Sequence, residues 1–176
     1  MANAFPVKNH ASLEINRARF LAQGNVVSQL PLAAEFTESA PCENGMWVGV
    51  NKAKGEVTRE GKPVGIVYTT EKEWGRYEYG LNRHYTVAGE YPRVGIVDVG
   101  DTFTSNCFDI TEFSTKEAAV TALGKLDSTP LYLVPGTEGY PKLTATAATS
   151  GLCAEVVKYT TMPNGEAAIK YQFIQA

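Results

Sequence analysis

The chain has 176 residues, 44% of them hydrophobic and 20% charged, a globular composition with enough apolar material for a real core. Its formal charge of -3, with only 16 lysines and arginines and no run of them, argues against a nucleic-acid partner, whose phosphates would need a local basic patch against that background. No stretch approaches the roughly 18 apolar residues that span a bilayer, and the first twenty residues lack the apolar centre of a signal peptide, so no membrane partner is expected.

In chain order, residues 1–40 read as an extended N-terminal arm and residues 41–176 as a β-rich body. The arm carries Leu13, Arg17, Phe20 and Leu21 at mixed spacing, then Gly24 and Pro31, with Pro41 just past its end. One short helix near residues 11–22 is possible, but no stable amphipathic face follows it. Such a segment either clamps a partner surface or lies along its own domain, and the pattern leaves both readings open.

From Gly45 the grain becomes β. "MWVGVNKA" (46–53), "VGIVYTT" (64–70), "YTVAG" (85–89), "RVGIVDVG" (93–100) and "LYLV" (131–134) are predicted strands, rich in β-branched residues and bounded by Gly and Pro. One helix interrupts them: Ser114 and Glu117 form a capping-box pattern, Ala119, Val120 and Leu123 supply an apolar stripe, and Gly124 suits the end, which predicts about three turns. Around Met162-Pro163-Asn164-Gly165, residues 152–174 are predicted to form an antiparallel hairpin, because Asn-Gly tolerates the positive φ of a tight turn. Ile169, Tyr171 and Phe173 would face inward, Lys170 and Gln172 outward. The predicted fold class is therefore mainly β: a small β-barrel or sandwich with one short helix and the arm.

Catalytic templates fail in turn. There is no nucleophile elbow, phosphate-binding loop, dinucleotide fingerprint or H-E-x-x-H helix. With two histidines, His10 and His84, and no C-x-x-C, a zinc site would have to be assembled from scattered ligands. Cys42, Cys107 and Cys153 are odd in number and far apart, which predicts reduced, buried thiols in a protein made in the cytoplasm. No cofactor, metal or enzymatic activity is expected.

The richest candidate stretch is "EKEWGRYEYGLNRHY", residues 71–85. Trp74, Arg76, Tyr77, Tyr79, Arg83 and Tyr85 could form a protein interface or stack on a sugar ring, which gives a carbohydrate- or surface-binding module as the alternative function. Glu78 and His84 could in principle act as acid and base in a small hydrolase. A third pattern, Asp98 and Asp101 across Gly100, reads as structural. On a strand, Val97 and Val99 would share the core face and Asp98 the solvent face, with Gly100-Asp101 opening a turn.

"GKPVGIVYTTEKEW", "YPRVGIVDVGDTFTSNCF" and "YPKLTATAATSGLCAEVVKYTT", in that order, resemble small head proteins of tailed bacteriophages. Val99, Gly100, Asp101, Thr102, Phe103, Thr104 and Asn106 match a turn that precedes a β segment in those sequences, with Ser105 in place of a second threonine. The resemblance implies a capsid decoration, or cement, protein: a β-rich structural component of the virion that sits outside the shell, binds the major capsid protein and acts as a dimer or trimer. No catalytic residue is implied. On that reading Phe5, Leu13, Arg17, Arg19 and Phe20 would be the capsid anchors of the arm, and deleting residues 1–24 would abolish particle binding while leaving the body folded.

Overall fold

A computed structural model describes Phe5 and residues 10–21, 25–69 and 84–176. Twelve strands and one α-helix are present among them: β1 (Val26–Val27), β2 (Cys42–Glu43), β3 (Trp47–Asn51), β4 (Glu56–Thr58), β5 (Gly65–Val67), β6 (Tyr85–Thr86), β7 (Val94–Ile96), β8 (Thr102–Ser105), α1 (Lys116–Leu123), β9 (Tyr132–Val134), β10 (Lys142–Thr144), β11 (Cys153–Thr161) and β12 (Ala167–Gln175). They form two five-stranded sheets, ordered β1-β7-β5-β3-β4 and β10-β9-β11-β12-β8, and a two-stranded ribbon of β2 and β6. Every named pairing is antiparallel, and the arrangement is sandwich-like rather than a closed barrel.

The two sheets differ in what covers them. The first is buried on both faces: Trp47 and Ile66 pack toward the second sheet, while Val48, Val67 and Val94 join Phe36, Cys42 and Cys107 in a separate cluster behind it. Near-continuous apolar runs such as "MWVGV" and "VGIV" follow from that two-sided burial. The second sheet buries one face only. Phe103, Ile169, Tyr171 and Phe173 meet Trp47, whose ring lies 4.9 Å from that of Phe173, while Lys158, Lys170 and Gln172 remain outside. One face of this sheet is therefore left for function.

The hairpin β11–β12 forms as its sequence predicts, with Gly165 at φ 82 in the turn and the inward triad Ile169, Tyr171 and Phe173 fully buried. Its register shifts between Val156 and Lys158, a bulge that leaves Val157 exposed. The helix is shorter than the predicted three turns: α1 has eight residues and starts one position later, with Thr115 as N-cap accepting from the Ala118 amide at 3.2 Å. Gly124 ends it in ordinary right-handed geometry, φ -76, so no left-handed cap is formed.

Val99 also departs from expectation. β7 ends at Ile96, so the alternation that would have carried Val99 into the core stops first, and its side chain is 59% exposed. Asp98 faces solvent as the pattern predicts. Asp101 is buried, and its carboxylate accepts from the Asp98 amide at 2.9 Å and the Leu21 amide at 2.6 Å. One carboxylate thus closes the turn before β8 and fastens the N-terminal segment to it.

Candidate functional site

Of the two readings of residues 1–40, the described part follows the second: it lies along its own body. Phe5 is 2% exposed, stacks on Phe108 with ring centroids 4.6 Å apart, and donates its amide to the Phe108 carbonyl at 2.7 Å. Leu13 is 1% exposed and bridges to Ser105, and Phe20 packs half-buried against Phe103 and Tyr68. Two of the five predicted anchors, Phe5 and Leu13, are consequently core residues, unavailable to a partner in the folded protein, and Phe20 packs against that core. The apolar side chains that suggested a partner surface have found one within the chain.

A second fastening lies at Glu43. Its buried carboxylate accepts from the Ala11 amide at 3.0 Å and the Tyr140 hydroxyl at 2.7 Å, and His10 Nδ1 lies 2.6 Å away. His10 therefore serves to dock the segment. Burial, with Cys107 and Glu43 nearby, pushes the Tyr140 hydroxyl up, so it remains a proton donor to the carboxylate. The thiols behave alike: burial pushes Cys42 up to about 12 and Cys107 well above its ordinary value, so both stay protonated and unreactive.

The remaining two anchors, Arg17 and Arg19, are exposed and have a different setting. A 3-10 turn at Ile15–Arg17 lifts the segment away from β8 between its two contacts, Glu14 amide to Thr104 carbonyl at 2.8 Å and Arg19 amide to Thr102 carbonyl at 2.9 Å. The lifted turn walls a groove of about 400 Å³ over the outer face of the second sheet, lined by Arg17, Arg19, Lys158 and Lys170 with the threonines 102, 104 and 160. Lys158 and Lys170 are directly opposed on β11 and β12, and Thr104 is the next partner across, on β8. None of the four cations forms an ion pair among the described residues.

Sequence reasoning missed Lys158 as a site residue and assigned Lys170 only to the solvent face. The signal was present: both are equidistant from Asn164, so the hairpin turn that fixes register also sets them face to face. What the pattern could not show was that Arg17 and Arg19, more than 130 positions away in sequence from Lys158, fold back beside them.

In the aromatic stretch, Trp74, Arg76, Tyr77, Tyr79 and Arg83 lie outside the described residues, as does Glu78. Tyr85 is described: its hydroxyl donates to Glu38 at 2.7 Å and its ring lies 4.6 Å from that of His10. His84 is buried. No group of three or more metal-ligating side chains occurs among the described residues, and no helix there is long and apolar enough to cross a membrane. No protein family, curated protein or solved structure matches the chain.

Proposed function

We propose that this chain is a structural binding protein of a phage head, a decoration protein that docks on the outside of an assembled shell and bridges neighbouring major capsid subunits. The observation that carries this reading is where the resembling stretch falls. Its Gly100-Asp101 turn is pinned by two part-buried hydrogen bonds to Asp101, and its Thr102 and Thr104 line an open, cation-rich groove on the exposed sheet face. A residue pattern of that kind combines a rigid platform with an unpartnered surface, which suits non-covalent docking.

The physics of the role is mass action. A protein that binds only the assembled lattice stabilises that lattice, and many copies on a symmetric shell add avidity without a strong single site. The arm's part changes from clamp to wall: its apolar residues hold it to the body, and its arginines face outward. Association into dimers or trimers belongs to the same proposal.

Quantitative mass spectrometry of purified particles, with co-sedimentation of the recombinant chain on assembled shells, tests the reading. A copy number at a simple fraction of the shell subunits, with saturable co-sedimentation, is expected. Absence from particles and no co-sedimentation would overturn it.

A further inference from the structure

We propose that the groove between the 3-10 turn and strands β8, β12 and β11 is a carboxylate-binding site, and that its occupant is an acidic polypeptide segment of the partner. The inference rests on the decoration reading for which protein supplies that segment, but not for the segment's chemistry.

Three observations lead to it. First, like charges are gathered in one place: Lys158 and Lys170 are directly opposed across two strands, an arrangement that costs stability for like charges, and Arg17 and Arg19 are added from the folded-back segment. Second, among the described residues no carboxylate of the chain pairs with any of them, although the chain has 19 Asp and Glu to 16 Lys and Arg. Where the chain does place carboxylates beside cations it forms pairs, as in Lys142 with Glu112 at 2.8 Å and Lys54 with Glu56 at 3.5 Å. Third, the half-buried Thr160 on β11 lines the groove beside the charges, so an entering anion would meet a hydroxyl donor as well as cations, whereas the Thr102 hydroxyl already donates to the Gly100 carbonyl at 3.3 Å.

Carboxylates fit this site better than a phosphate backbone. Arginine's planar fork matches a carboxylate through two parallel hydrogen bonds, and two arginines with two lysines would match a short run of Asp and Glu. Among the described residues no aromatic side chain lines the groove to stack a base. The net charge of -3 would oppose an extended polyanion while leaving one focused positive cleft for a compact acidic one.

The test uses the full chain and two fluorescent probes of equal length, a twelve-residue peptide of Glu and Asp interrupted by Gly, and a twelve-nucleotide oligothymidylate, read by anisotropy. The peptide should bind, weaken steeply between 50 and 200 mM salt, and lose at least tenfold in affinity in Lys158→Glu/Lys170→Glu and in Arg17→Ala/Arg19→Ala. Lys125→Glu, on the exposed end of the helix region, should change it less than twofold. Lys158→Thr gives a readout independent of binding: removing one of two opposed lysines should leave the melting temperature unchanged or raise it, whereas a structural lysine would lower it. Peptide affinity equal in wild type and both double variants, no peptide binding at all, or tighter binding of the oligonucleotide through the same residues would each overturn the proposal. Particle binding without peptide binding would overturn only the groove's chemistry; peptide binding without particle binding would overturn only the decoration role.

Discussion

Replacing Phe5 by alanine tests whether the N-terminal segment is part of the body. The ring is almost fully buried, stacked on Phe108, and has the Lys116 ammonium 5.2 Å from its centroid. Phe→Ala changes in cores cost about 3–5 kcal/mol, of which the aromatic pair accounts for about 0.5–1.5 kcal/mol. For a chain of this size each kcal/mol is worth about 2–4 °C, so a loss of 3 kcal/mol should lower the melting temperature by about 6–12 °C. Thermal denaturation followed by near-ultraviolet circular dichroism reports the shift, and hydrogen exchange at residues 11–19 reports whether the neighbouring segment loosens with it. Phe5→Leu, which keeps apolar bulk and loses the stack, should fall between the two. A shift below 2 °C with unchanged exchange would refute the reasoning: the segment would then be held without this ring.

Deleting residues 1–24 should unfold or strongly destabilise the body, against the expectation from sequence, because it removes Phe5, Leu13 and Phe20 from the core; a truncated chain with wild-type melting would show the segment to be dispensable. Gly95→Ala should dislodge the segment from the other side, since an added methyl would run into the Phe20 ring; the check is increased protease cleavage near residues 20–25, and wild-type resistance would contradict it. Stability should fall as pH rises above 9. Burial raises Cys42 from 9.0 to about 12, so in that window the unfolded chain releases the proton while the folded chain keeps it, a loss of about 1.4 kcal/mol per pH unit for this thiol. Urea midpoints at pH 8 to 10.5 measure the slope, which Cys42→Ala should reduce; a flat profile would contradict the assignment.

How much of this was legible depends on how local the deciding contacts are. The hairpin 152–174 was readable because turn chemistry and two-residue alternation lie within twenty-odd residues and agree with each other. The β grain of residues 46–70 was readable too, but strand ends were not: β7 stops at Ile96 and β5 at Val67, where pairing partners run out rather than where propensity does. β4 was not among the predicted strands, since its three residues gain strand geometry only by pairing with β3. The groove was illegible for a stronger reason. Its charges come from three separate stretches, and no periodicity connects Arg17 to Lys158. Asp101 was read correctly as structural, yet its role in holding Leu21 required the fold.

The bonds that fasten the segment span great sequence distances: the Ser12 amide to Asn106 Oδ1 across 94 residues, and the Leu21 amide to Asp101 Oδ1 across 80. Such closures are slow, because loop entropy is lost before the contact is gained. The β11–β12 hairpin needs no such closure and can form within microseconds. β8 pairs with β12, and residues 13 and 19 bridge to β8, so each layer is the template for the next. The layering therefore runs against the order of the chain: the groove exists only because its earliest residues, Arg17 and Arg19, close over strands supplied by its latest.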